Sequence, residues 1–163
     1  VTAAQHPSSA GPDDTAGPDG HRRPVVLVHS HRPEVREQIR SAIGRRPAAD
    51  IGRIDFLDAT GVAEVLMAVD SGGVDVVVLD GEAQPTGGIG ISRQIHQEAG
   101  RRGAPIPPVI LVVKRADDRW LATWAQASEV LVHPLDPVTA AETVAHVLRR
   151  VLHGDLAGTP GRP

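Results

Sequence analysis

The stretch VVVLDGEAQPTGGIG (76–90) runs branched apolar residues into Asp80 and then breaks into a loop rich in Gly and Pro. Two other apolar runs end in side chains with chemical capability: VVLV leads into His29 and Ser30, and VLV leads into His133 and Pro134. A carboxylate beside imidazoles suits coordination of Zn²⁺ or another transition metal. Mg²⁺ asks for oxygen ligands and usually for more than one carboxylate. His29, Asp80 and Glu82 are therefore weak metal candidates, Glu82 only if its side chain turns inward. His133 would have to reach across a neighbouring strand. The plain alternative is that Asp80 is a polar stop at a strand end and that the histidines ligate nothing, with His31 solvated at a helix entrance.

The elements that would position these groups alternate along the chain. PVVLVH (24–29) has the β-branched character of a strand buried on both faces. EVREQIRSAIGRR then places Val35, Ile39, Ala42 and Ile43 on one helical face, with Pro33 near its start and Gly44 near its end. DIGRIDFLD (50–58) is a weaker strand candidate, and TGVAEVLMAVDSGG aligns Val62, Leu66 and Val69 before Gly72 and Gly73 stop the helix. VDVVVLD (74–80) is the strongest strand; a third helix carries Ile91 and Ile95, and PVILVV (108–113) follows. Next come a helix with Trp120 and Trp124 one turn apart, a fifth strand SEVLVH (128–133), and a last helix. That helix has Asp136 as N-cap, Pro137 in the first helical position, and Val138, Ala141, Val144, Val147, Leu148 and Val151 in line. Five such units predict an α/β fold, a doubly wound parallel sheet with helices on both faces and ligands at the carboxyl ends of the strands. Gly87, Gly88 and Gly90 read as turn glycines, because no phosphate-cradling GxxxxGK[ST] or GxGxxG pattern opens a helix.

Composition narrows the classes. The chain has 163 residues, 40% of them hydrophobic, enough for one domain with its own core. Without cysteine, neither disulfides nor thiolate metal sites can form. The apolar runs are too short to span a membrane and no signal pattern opens the sequence, so a soluble cytoplasmic protein is expected. The net charge of −3, with arginines scattered among acids, shows no nucleic-acid footprint. Residues 1–23 and 153–163 mix Pro, Gly, Ser and Asp without apolar period, and are expected to be a disordered arm and a flexible tail around a domain at 24–152. Neither a nucleophile elbow nor a metalloprotease motif is present, so no independent enzyme is expected.

With these residues in view, region 24–152 resembles the receiver domain of bacterial two-component response regulators. VDVVVLD is similar to the strand holding that family's phosphoacceptor aspartate, with Pro85 and Gly88 in the loop where the family also has Pro and Gly. VLVHPLDP resembles its fifth strand and Lys-Pro turn. The resemblance implies a five-stranded sheet of flavodoxin-like order 2-1-3-4-5, Asp80 as phosphoacceptor candidate, and a cis peptide at His133–Pro134.

Several equivalents depart from the family. His29 and Ser30 stand where an acidic pair holds a divalent cation, Val113 where a Ser or Thr ends the fourth strand, His133 where a lysine precedes the proline, and Val130 at the switch aromatic. Phosphoryl transfer to a carboxylate needs a hard cation and a fixed positive charge, so a weak Mg²⁺ site is expected and no cofactor is certain. The reading is an atypical single-domain receiver that signals by binding a protein, such as a histidine kinase, a regulated enzyme or a complex, without the usual aspartyl-phosphate switch. Two alternatives stay open: a conventional phosphorelay regulator phosphorylated on Asp80 by a histidine kinase, and a transition-metal or small-ligand sensor using His29 and Asp80. Trp120 and Trp124 are partner-surface candidates; their spacing fits burial of both against the sheet or exposure of one beside the fifth strand and last helix. A homodimer through that last strand and helix is compatible with the sequence.

Overall fold

The computed structural model describes residues 22–154; the greater part of the expected arm (1–21) and of the tail (155–163) lies outside the described residues. Five strands, β1 (Val25–His29), β2 (Asp55–Ala59), β3 (Val76–Asp80), β4 (Val109–Val113) and β5 (Glu129–Val132), form one sheet in the order β2-β1-β3-β4-β5. All four pairings are parallel. The order reverses between β1 and β3, so the crevice where ligands collect lies at their carboxyl ends, beside His29 and Asp80.

Strand parity divides the core. Val26, Val28, Val76, Val78, Ile110 and Val112 point to one face, where they meet α1 (Pro33–Ile43) and α5 (Pro137–Leu152). Leu27, Val77, Leu79, Leu111 and Val113 point to the other, against α2 (Val62–Asp70), α3 (Gly88–Arg102) and α4 (Leu121–Ala125). β3 and β4 are buried throughout, as their uninterrupted apolar runs require. β2, the weakest strand in the sequence, lies at an edge with Leu57 and Asp58 exposed; polar edge positions discourage pairing with another chain.

The helices differ from expectation in instructive places. On α2 the fully buried residue is Val65, with Val62, Leu66 and Val69 only half-buried around it. On α5 Asp136 caps the helix, its carboxylate accepting from the Thr139 amide at 2.8 Å, but Val138 is exposed and Ala140 replaces Ala141 on the inner face. The 3.6-residue period runs through 140, 144, 147 and 148 and leaves 138 outside. The region around the tryptophans is a 3₁₀ turn (Ala116–Trp120) followed by the short α4, in which only Ala122 and Ala125 are buried. Small residues on the inner side let this segment lie close to the sheet and turn both tryptophans outward.

Arg22 and Arg23, assigned by composition to the N-terminal arm, belong to the folded unit: Arg22 makes paired 2.9 Å bonds to Asp75, which also accepts from the Val25 amide at 2.7 Å. Among the described residues no helix is long and apolar enough to cross a membrane.

Candidate functional site

Asp80 ends β3 with no exposed surface. Its Oδ2 accepts from the Ser30 hydroxyl at 2.7 Å, and its Oδ1 from the Glu82 amide at 2.9 Å. The Arg32 guanidinium approaches Oδ2 from the loop before α1, with Nη2 at 3.4 Å. Ser30 is itself held, its Oγ accepting from the Arg32 amide at 3.1 Å while its carbonyl accepts from Arg36 at 2.6 Å. The carboxylate therefore faces a hydroxyl, an amide and a guanidinium and, among the described residues, no second acid.

The β3–α3 loop lies against this carboxylate because it is built from glycine. A Cβ on Gly88 would come within 2.9 Å of the Asp80 carbonyl oxygen and of Leu79 Cβ, and one on Gly81 within 2.7 Å of the Val112 carbonyl oxygen. Gly88 and Gly90 are thus not turn residues: Gly87 caps α3 and Gly88 opens it. From the facing loop, exposed His31 accepts the Gln84 amide on Nδ1 at 3.0 Å and clamps the two loops together. The peptides Gln84–Pro85 and His133–Pro134 are both cis.

His29 ends β1 almost fully buried, and its Nδ1 has no hydrogen-bond partner among the described residues. Burial pushes its imidazole below the ordinary value; Asp80 opposes this, while His31 and Arg36 reinforce it. A neutral imidazole follows. Glu82 sends its side chain to solvent and serves Asp80 only through its backbone amide, so the inward-turned second carboxylate is not formed. Val113 is buried among apolar side chains, and half-buried Val130 packs on the same cluster. His133 lines a groove with Gln38, Ser41 and Ala42, and no hydrogen bond joins it to Asp80. Among the described residues, no group of three or more His, Cys, Asp or Glu side chains is placed to hold a metal ion.

Arg32 escaped the reading of the sequence. Its signal is faint: an arginine immediately before the helix-opening Pro33, in the loop that carries Ser30, looks like any solvated charge. Trp120 and Trp124 are 65% and 61% exposed, and Arg93 of α3 stacks over the Trp124 ring at 4.4 Å. Ser92, also unremarked in the sequence, is fully buried and donates to the Ala125 carbonyl at 2.6 Å, tying α3 to α4.

The fold is similar to that of the signal receiver domain of an HD domain-containing protein from Pseudomonas fluorescens, with a TM-score of 0.64, 16% identity, and coverage of 83% of this chain and 93% of that one. A chemotaxis response regulator of Vibrio cholerae is similar with a TM-score of 0.60, 17% identity, and coverage of 77% and 98%. No family model matches the chain. Response regulatory proteins from two strains of Mycobacterium tuberculosis are 36% identical to it over 136 residues, which span 83% of this chain and 99% of theirs. A five-stranded parallel sheet of order 2-1-3-4-5 with an aspartate ending its third strand, together with this identity along almost the full length of those relatives, places the chain in the response-regulator receiver family of two-component signalling.

Proposed function

We propose that the protein is a receiver that signals from the cytoplasm by binding another protein, without the family's Mg²⁺-dependent aspartyl-phosphate switch. The observation that carries this is the company of Asp80. In place of acids that would gather a divalent cation, the carboxylate meets Ser30, the Glu82 amide and the Arg32 guanidinium. Mg²⁺ is bound by oxygen ligands at about 2.0–2.1 Å in octahedral geometry, and a donor set of hydroxyl, amide and guanidinium does not fit it. The groups expected to pass on a phosphorylated state are also replaced: Val113 has no hydroxyl, Val130 no ring, and His133 contributes no lysine charge.

Binding has a surface to work with. Trp120 and Trp124 stand out beside β5, and exposed tryptophans with a stacked arginine are the composition of interaction hot spots. On this reading the chain is a signalling module and not a catalyst, its partner a histidine kinase or a regulated enzyme or complex. The match to the M. tuberculosis proteins, over 99% of their length, supports a role like that of a response regulatory protein.

One observation favours the conventional phosphorelay reading: Asp80 remains, at the carboxyl end of β3 beside the switch point. Incubation with acetyl phosphate and Mg²⁺, followed by intact mass measurement, tests between the two. The unmodified mass is expected; an adduct that forms in the wild type and not in Asp80→Asn overturns the proposal.

A further inference from the structure

Resting on that reading, we infer that Arg32 is the resident cation of the site: its guanidinium stands against Asp80 where a divalent ion would have to bind, and so excludes the ion. Three features point to this. Nη2 lies 3.4 Å from Oδ2, the same oxygen that accepts from Ser30. Asp80 is fully enclosed whereas the Arg32 side chain is 42% exposed, so the arginine covers the mouth of the site with its charge inward and its flank to solvent. Its Nε is enclosed without a hydrogen-bond partner among the described residues, and Asp80 is the acceptor toward which the head is held.

The backbone fixes this placement. Arg32 is the N-cap of α1 in extended conformation, its amide bonded to Ser30 Oγ and its carbonyl accepting from the amides of Val35 and Arg36. The head therefore starts from a fixed point one loop away from Asp80. A cation entering at Oδ2 would have to displace the guanidinium or share the oxygen with it, and two positive charges at such distances repel by several kcal/mol even at an effective dielectric constant of about 20. The exclusion is thus separate from the poverty of acids. Restoring an acid at position 30 would give the arginine a second partner before it gave a metal a second ligand.

The test uses Mn²⁺ as probe, read by selective broadening of the Gly81 and Glu82 amide signals in the full chain, for the wild type, Ser30→Asp, and Ser30→Asp with Arg32→Gln. No selective broadening is expected in the wild type. The double variant is expected to bind Mn²⁺ at least about ten-fold tighter than Ser30→Asp alone, the factor that 1.4 kcal/mol of relieved repulsion produces, and to lose that binding with Asp80→Asn. A urea double-mutant cycle between Arg32→Gln and Asp80→Asn decides the matter if the double variant fails to fold: a coupling of at least about five-fold in the unfolding constant is expected for a close pair. Equal Mn²⁺ affinity with and without Arg32, or no coupling in the cycle, overturns the role of Arg32 and leaves the receiver reading intact. Saturable, Asp80-dependent binding to the wild type overturns both.

Discussion

Asp80→Asn changes a charge without changing shape, and the structure fixes the sign of its effect. Where several carboxylates crowd one site, neutralising one relieves repulsion and stabilises the fold. Here the neighbours are donors. The hydrogen bonds from Ser30 at 2.7 Å and from the Glu82 amide at 2.9 Å are charge-assisted, and such bonds are roughly twice as strong as neutral ones. Asn offers one carbonyl oxygen and turns an NH₂ group toward the other donor, so one of these bonds is broken and the other loses its charge assistance. The attraction to Arg32 also disappears, although its exposed flank limits what that costs. Against these losses stands the desolvation that a buried carboxylate no longer suffers. One bond broken and one weakened, at about 1 kcal/mol each, with the Arg32 attraction roughly balancing the desolvation gain, give a loss of about 2 kcal/mol. For a domain of this size that corresponds to a fall in Tm of roughly 6–10 °C. Urea unfolding monitored by far-UV circular dichroism in metal-free buffer measures it. A variant as stable as the wild type, or more so, refutes the placement of Asp80 among donors.

Further expectations follow from the same geometry. Gly88→Ala places a methyl 2.9 Å from the Asp80 carbonyl oxygen and Leu79 Cβ, atoms that cannot withdraw; a loss of about 1–3 kcal/mol is expected in urea unfolding, with altered amide shifts at residues 80–82. His29 carries a lowered pKa in the fold because burial disfavours its charged form. The unfolded chain then binds the proton first, so stability is expected to fall as pH drops below about 6.5, and the decline should flatten in His29→Leu, as unfolding at a series of pH values would show. Asp50, paired with Arg149 of α5 at 2.5 Å and 2.8 Å, has its pKa pulled down to about 2 by that hydrogen-bonded partner; carboxyl-detected NMR titration should find it there, moving toward 3.8 in Arg149→Gln. Trp120→Ser and Trp124→Ser should change stability by no more than about 0.5 kcal/mol, as for other exposed positions, and Trp emission in the wild type should be red-shifted and freely quenched by acrylamide; a blue-shifted, protected spectrum would place the rings inside.

What the sequence made legible was what depends on repetition. The both-face burial of β3 and β4 shows directly in unbroken branched runs, and the α1 face through Val35, Ile39, Ala42 and Ile43 follows from spacing alone. The weak pattern of β2 marked it only as a doubtful strand; its edge position came from the order that the resemblance implies. The tryptophan segment was not readable in the same way, because its inner side is two alanines, and alanine carries too little hydrophobic signal to mark a face. In the site, Asp80 announced itself by ending a strand, and His29 and Ser30 by ending its neighbour. Arg32 did not, since the reach of a long side chain across two loops leaves no spacing in the sequence. Glu82 misled for the converse reason: two residues from Asp80 it could face inward or outward, and the turn that brings its amide to Oδ1 sends the side chain to solvent.

The central claim is that Asp80 no longer operates a metal-dependent phosphoryl switch. It is tested most directly by the amide NMR spectrum of the purified protein titrated with Mg²⁺ and beryllofluoride, with Asp80→Asn as control. The account predicts that the signals of residues 80–88 and of β4 and β5 stay where they are in both proteins. Saturable shifts that spread from Asp80 toward β5 in the wild type, and are lost in the variant, would contradict it.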